Sequence, residues 1–205
     1  MNEPFLLTER PSVYLASKSP RRQELLRQLG IEFTELLLRE APGRDQDIIE
    51  APRKDEAPLE YVKRIARLKA SVGWHRMGRR GLAPKPVLSA DTEVVLEGSV
   101  LGKPRDAADA IAMLGALSGR THEVLTAIAA RSGSRLESAI SVSQVTFRTL
   151  FAEEIARYDQ WQGKAGAYAV QGAAARFVTG LRGSFSGVMG LPLCETAGLL
   201  ERIGR

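Results

Sequence analysis

Three short stretches of this 205-residue chain carry residue types suited to phosphate chemistry. In "SADTEVVLEGSVLGKP", strand alternation puts Asp91 and Glu93 on one face and Thr92 on the other, and Lys103 follows Gly102 at the mouth of the next helix. A carboxylate near a strand end can hold a divalent cation or accept a proton from water, and a nearby ammonium keeps it ionised or reaches a phosphate. In "LASKSPRRQELL", Ser19 and Pro20 read as the cap and first turn of a helix, yet Arg21 and Arg22 place two positive charges at its positive pole. Each opposes the helix dipole by ~0.3–1 kcal/mol when exposed. A bound phosphate chain reverses that sign, because it meets unpaired amides, the dipole and two guanidinium forks together. In "GKAGAYAVQG", glycines let backbone approach a ligand, Lys164 adds a cation, and Gln171 can donate and accept at once, as reading a base edge requires. Each stretch also has a plainer reading. Arg21 and Arg22 would splay into water and neutralise Glu24, the Asp91 segment would be a solvated turn, and residues 163–172 would be a simple glycine-rich turn. Lys69, beside an apolar helix face, would merely snorkel.

These groups need elements to position them. Residues 12–17 read as a short buried strand running into the Ser19 helix, whose apolar face is Leu25, Leu26 and Leu29. The acidic, proline-interrupted residues 39–58 are expected to form a loop, with Ile48 and Ile49 touching the core. Val62, Ile65, Ala66, Leu68 and Val72 recur at helical spacing, with Gly73 as the stop and the basic residues 73–86 as an exposed loop. Residues 86–98 read as a strand. Residues 102–119 read as a second helix, with Asp106 and Asp109 spaced as a reciprocal cap. "HEVLTAIAA" and residues 137–150 are expected as two strands joined around Ser132 and Gly133, followed by a short helix over 151–158. Glycine-rich turns and short strands then lead to a closing helix in "CETAGLLERI". This order predicts an α/β fold with a mixed, partly antiparallel sheet rather than a doubly wound one.

Composition narrows the function classes. The formal charge is +5, with 29 basic and 24 acidic residues, but aromatics are only 6% and no zinc-finger, RNP or Lys/Arg-rich tract is present. That favours small polyanions over a stable nucleic-acid complex, with a nucleotide- or nucleic-acid-binding regulator and a phosphomonoesterase as the rival readings. No apolar run reaches membrane-spanning length, and "PFLLTERPS" is too short and polar for a secretory signal, so a cytoplasmic protein is expected. Neither GxxxxGK[ST] nor GxGxxG occurs. His75 and His122 lack a third partner for zinc, so any metal is expected to be Mg²⁺ or Mn²⁺, held by carboxylates and substrate phosphates. The single cysteine, Cys194, is expected to be a buried small hydrophobe beside Leu191, Leu193 and Leu199.

"LASKSPRRQELL", "SADTEVVLEGSVLGKP", "LSGRTHEVLTAIAA", "KAGAYAVQG" and "GLPLCETAGLL" occur in this order. Together they resemble the signature segments of the Maf family of nucleoside triphosphate pyrophosphatases, from about Tyr14 to Leu200. The resemblance implies a metal-dependent, commonly dimeric cytoplasmic enzyme. It implies one elongated Maf/ITPase-like α/β domain over residues 1–205, with a deep cleft between two lobes. Its members cleave a nucleoside triphosphate between the α and β phosphorus atoms, releasing a monophosphate and pyrophosphate. Carried onto this chain, the resemblance implies Asp91 as proton acceptor and Ser17, Arg21, Arg22, Lys69 and Lys103 around the phosphates, with Lys103 serving catalysis. It implies Glu50 and Asp91 as metal ligands. Arg21, Thr92 and Gln171 match the positions of the branch acting on dTTP and UTP, whereas the branch acting on 7-methyl-GTP usually has a tryptophan after "SP". The chain departs from the pattern at Glu93, where an apolar residue is usual, at Gln160 and Gly187, and in the longer segment between Phe33 and Glu50.

Overall fold

The computed structural model describes residues 12–38 and 50–204; the expected contacts of Ile48 and Ile49 lie outside that set. The first strand, β1 (Ser12–Leu15), leads into helix α1 (Pro20–Gln28) and strand β2 (Glu32–Glu35). Helix α2 (Pro58–Arg79) precedes the long strand β3 (Val87–Leu96) and the two-residue β4 (Ser99–Val100). Helix α3 (Ala107–Leu117) follows, then the hairpin of β5 (Thr121–Ser132) and β6 (Arg135–Phe147) and the short helix α4 (Ala152–Ala156). Two 3₁₀ turns (Ala165–Ala167 and Ala173–Phe177), β7 (Val178–Arg182), α5 (Phe185–Met189) and α6 (Leu193–Gly204) complete the described chain. The seven strands form one mixed sheet in the order β2-β1-β3-β5-β6-β7, with β4 hairpinned onto β3. β1 runs parallel to both its neighbours, and all other pairs are antiparallel.

Period-two alternation along β3 divides the core. Leu88 and Ala90 pack with Leu25 and Leu26 of α1 and Leu199 and Leu200 of α6. On the opposite face Val95 packs with Val62, Ala66 and Ala70 of α2, and Val87 packs with Met77 at that helix's far end. Farther along, Val94 and Leu96 join α3, α4 and the 3₁₀ turns in a further cluster around Phe147 and Phe177. Burying such side chains stabilises by ~25 cal/mol per Å² of apolar surface, so α2 and α1 are clamped on opposite sides of the same strand.

The sheet itself opens the cleft. β1 pairs with β3 only at Val87 and Leu88, because the chain turns away at Ala16 toward α1. On that same edge of β3, β4 begins pairing only at Val95. The stretch between, which contains Asp91, Thr92 and Glu93, is paired on its other edge by β5 and open on this one. A cavity there needs no lid or insertion. It follows from a short parallel neighbour.

Several local expectations change. α2 does not stop at Gly73 but continues to Arg79, so much of the expected basic loop is helical. Gly73 is buried against β3, where an added Cβ would lie 2.7 Å from Val87 Cγ1. Its small size permits close helix–strand approach. β2 has no counterpart in the sequence reading: "EFTE" is a mostly exposed edge strand without an apolar run. The tail contains one strand, β7, and otherwise 3₁₀ turns and α5. Cys194 is exposed, because the buried face of α6 is formed by Thr196, Ala197, Leu199, Leu200 and Ile203. In α3 the Asp106 carboxylate does accept from Asp109 N–H, but Asp109 turns to the backbone and guanidinium of Arg105 rather than closing a reciprocal cap.

Candidate functional site

The open edge of β3 lines a cleft of about 530 Å³, within the range that small-molecule sites occupy. On the α2 side, Lys69 reaches across to the strand. Its ammonium donates to Asp91 Oδ1 at 2.8 Å and lies 2.8 Å from Glu50 Oε1. Burial alone would drive the Lys69 pKa down, but Asp91 and Glu50 more than offset that and raise it, so the ammonium is retained. Burial raises the Glu50 carboxyl while Lys69 lowers it further, and the net direction is down. Lys69 is therefore a structural cation between two acids and not a snorkelling surface group.

The same wall holds an unbalanced pair of oxygens. Asp91 Oδ2 and Glu93 Oε2 are both closed off from solvent with no hydrogen-bond partner among the described residues. Glu93 is pushed up to about 8, first by burial and then by the negative charge of Asp91. Such atoms are costly unless a donor or cation meets them. Asp91 and Glu93 both line the cleft, and two orphaned carboxylate oxygens in its wall suit a hard divalent cation. No trio of Asp, Glu, His or Cys side chains converges on one point among the described residues, so protein ligands would be few.

The other face of β3 is built around Arg22. Pro20 does open α1, but Ser19 makes no side-chain cap; Ser17 Oγ instead accepts from Ser19 N–H at 3.2 Å. Arg22 Nη1 donates to that same Ser17 Oγ, Nη2 to Thr92 Oγ1 and Nε to the Gly190 carbonyl, at 3.1, 3.1 and 2.8 Å. Thr126 Oγ1 lies 3.0 Å from Thr92 Oγ1 and donates to the Gly187 carbonyl at 2.8 Å, which ties β5 and α5 into the network. Gly190 sits at φ +114°, and a Cβ there would stand 3.4 Å from both Arg22 Nε and Thr92 Oγ1. Among the described residues, every hydrogen-bond partner of Arg22 is neutral. Burial consequently lowers its pKa, although Asp91, Glu50 and Glu93 oppose that from across the strand. Two of its five N–H donors remain, and Ser17, already accepting twice, keeps its hydroxyl hydrogen for a ligand.

The remaining expected groups divide. Arg21, Lys103, Thr92 and Gln171 line the cleft with Ser17, Arg22, Lys69, Glu50 and Asp91. Arg21 and Lys103 make no ion pair among the described residues, so the cleft carries unspent positive charge. Burial lowers the Arg21 pKa, and Glu24 pairs with Arg27 rather than with either arginine of the first turn. Lys164 is not among the lining residues. Its ammonium lies 3.4 Å from the Gln162 carbonyl because the preceding turn directs it along its own loop. Its pKa is lowered by burial and by the charge of Arg21. Tyr61, Tyr168 and Gly190 also line the cleft without having been singled out from sequence. Nothing local in the sequence marks the two tyrosines, and Gly190 is one of 19 glycines.

The arrangement can thus enclose a polyanion among cations that make no ion pair among the described residues, with hydroxyl and guanidinium donors on one face and carboxylates on the other. The profile of the Maf family, described as Maf-like protein, matches residues 12–203. A dTTP/UTP pyrophosphatase of Nitrosospira multiformis is 55% identical over 92% of this chain and 93% of its own length. Proteins of the same name from Cupriavidus metallidurans and Aromatoleum aromaticum are 52% and 51% identical, each over 94% of this chain and 96% and 95% of their own lengths. A solved structure of the Staphylococcus aureus Ham1 protein overlaps 66% of this chain and 71% of its own at 12% identity, with a TM-score of 0.44.

Proposed function

The chain belongs to the Maf family, and we propose that it hydrolyses dTTP and UTP between the α and β phosphorus atoms, releasing a nucleoside monophosphate and pyrophosphate. The observation that carries this reading is a cleft in which, among the described residues, Arg21 and Lys103 make no ion pair while Asp91 keeps one oxygen without a partner. The relatives' shared name supplies the nucleotide.

In this mechanism Arg21, Arg22 and Lys103 draw in the triphosphate and stabilise the charge that grows on the departing pyrophosphate. Ser17 donates its free hydroxyl hydrogen to a phosphate oxygen. Lys69 holds Asp91 by Oδ1 and leaves Oδ2 without a partner among the described residues. Asp91 accepts a proton from water as that water attacks the α-phosphorus, and the α–β bridging oxygen leaves with the pyrophosphate. Thr92 and Gln171 lie where they can contact the base. A divalent cation, Mg²⁺ or Mn²⁺, suits the acidic groups around Asp91 and would supply charge neutralisation at the phosphates. We extend the proposal to a cytoplasmic homodimer, which sedimentation would test; no described helix is long and apolar enough to cross a membrane.

Turnover in ¹⁸O-water with dTTP, UTP, the other common triphosphates and 7-methyl-GTP tests the reaction. The label should appear in the monophosphate, with pyrophosphate unlabelled, and dTTP and UTP should lead the series. Release of free inorganic phosphate, or label in pyrophosphate, would overturn the bond assignment.

A further inference from the structure

Lys69 settles only half of the acidic wall. It takes Asp91 Oδ1 and Glu50 Oε1, each at 2.8 Å, and so stands between those two carboxylates where a cation shared by them would sit. The unsatisfied oxygens are elsewhere: Asp91 Oδ2 and Glu93 Oε2. The Asp91 side chain is only 7% exposed, so bulk water does not compensate its free oxygen. Asp91 and Glu93 are two positions apart on β3, hence on one face and about 6–7 Å apart along the strand, a span that two side chains can close around one ion.

We infer that Glu93 is a ligand of the divalent cation and, with Asp91 Oδ2, forms the protein half of its coordination in place of Glu50. The inference rests on the proposal that this cleft takes a metal–nucleotide complex, and it adds a residue which that proposal does not require. An ammonium is a poorer match, because Lys69 is already committed to Asp91 Oδ1 and Glu50 Oε1, and Lys103, whose charge is felt at Glu93, makes no ion pair with it. Two carboxylate oxygens with the remaining positions left to water and phosphate are the habit of Mg²⁺ and Mn²⁺. The absence of a third metal-ligating side chain among the described residues agrees with that habit. Asp91 Oδ2 carries two lone pairs, so cation binding leaves one for the proton of the attacking water.

Mn²⁺ titration followed by electron paramagnetic resonance, on the nucleotide-free chain and on its complex with α,β-methylene-UTP, tests this without turnover. Glu93→Gln should weaken Mn²⁺ at least tenfold, whereas Glu50→Gln should change it less than threefold. Glu93→Val guards against a misleading amide: it should unfold at a higher temperature than the parent in EDTA, having lost an unpaired buried carboxyl, yet gain less from added Mn²⁺. Parent-like Mn²⁺ affinity in Glu93→Gln would overturn the inference, as would a larger loss in Glu50→Gln or no Mn²⁺ binding by the parent in either form. Product analysis separates the two claims. A chain that binds Mn²⁺ through Glu93 but releases no pyrophosphate would sink the proposed reaction and keep the ligand.

Discussion

On the α2 face of β3, Lys69 stands between two carboxylates; on the α1 face, Arg22 stands among two hydroxyls and a carbonyl. Among the described residues, the acidic face has more carboxylate than its ammonium can satisfy, and the basic face has a guanidinium with no counter-ion of its own. Only the strand's backbone separates them. Neither side would be arranged this way for stability alone, since buried ionic groups contribute little unless paired and become costly when left single. The contrast makes sense if the missing partner arrives from outside. A polyphosphate would complete the arginine side, and a small cation would complete the carboxylate side.

Breaking the acidic side should have the largest effect. Asp91→Asn removes the proposed proton acceptor while keeping the shape, and kcat for pyrophosphate release should fall about 10²- to 10⁴-fold, equivalent to ~3–5 kcal/mol at the transition state. Circular dichroism should show the fold retained. Near-parent turnover by that variant would remove Asp91 from the mechanism.

A group away from the cleft provides the next comparison. His122 is buried against Phe147 and Tyr168, with Nε2 2.8 Å from the Tyr168 hydroxyl, and burial lowers its pKa to about 4. Because the unfolded chain takes up that proton near pH 6.5, its contribution is full above 6.5 and is lost as pH falls toward 4. The loss should approach about 3 kcal/mol. Denaturant unfolding from pH 7 to 4 should be flatter by that amount in His122→Leu. Equal slopes would place acid sensitivity in the cleft instead.

Arg22→Lys tests the basic side. It keeps the charge but loses the fork that joins Ser17, Thr92 and Gly190, so unfolding free energy should drop by ~2–3 kcal/mol with a rise in KM. Unchanged stability would mean the three hydrogen bonds are replaceable. The smallest expected effect is Gly73→Ala. Overpacking against Val87 should cost ~1–3 kcal/mol, partly offset by ~1 kcal/mol of helix propensity, and would tilt α2 and with it Lys69. A neutral result would show that Val87 yields without moving the helix.

The elements on either side of the cleft were not equally legible. The β5–β6 hairpin and the start of α1 follow from alternation, a turn glycine and a proline at the first helical position, all of which act within a few residues. Gly73 misled because a glycine that ends a helix and one that admits a neighbouring strand look alike in sequence. β2 was missed because an edge strand need not be apolar. Among the site residues, Asp91, Arg21, Arg22 and Lys103 could be singled out by type and position, and Lys69 by resemblance. Nothing local showed that Lys69 would join Asp91 to Glu50, or that Gly190, 168 positions from Arg22, would accept its Nε–H.

Sequence by itself determined which residues could serve phosphate chemistry, which lie on the same face of a strand, and the mixed α/β order of elements, because side-chain chemistry and short-range periodicity are local properties. Tertiary structure alone decided which charges are spent on one another and which remain for a ligand. That outcome depends on where β1 leaves β3 and how closely α1 and α2 pack against it, and buried charges respond to neighbours within a few ångströms, whatever their separation along the chain.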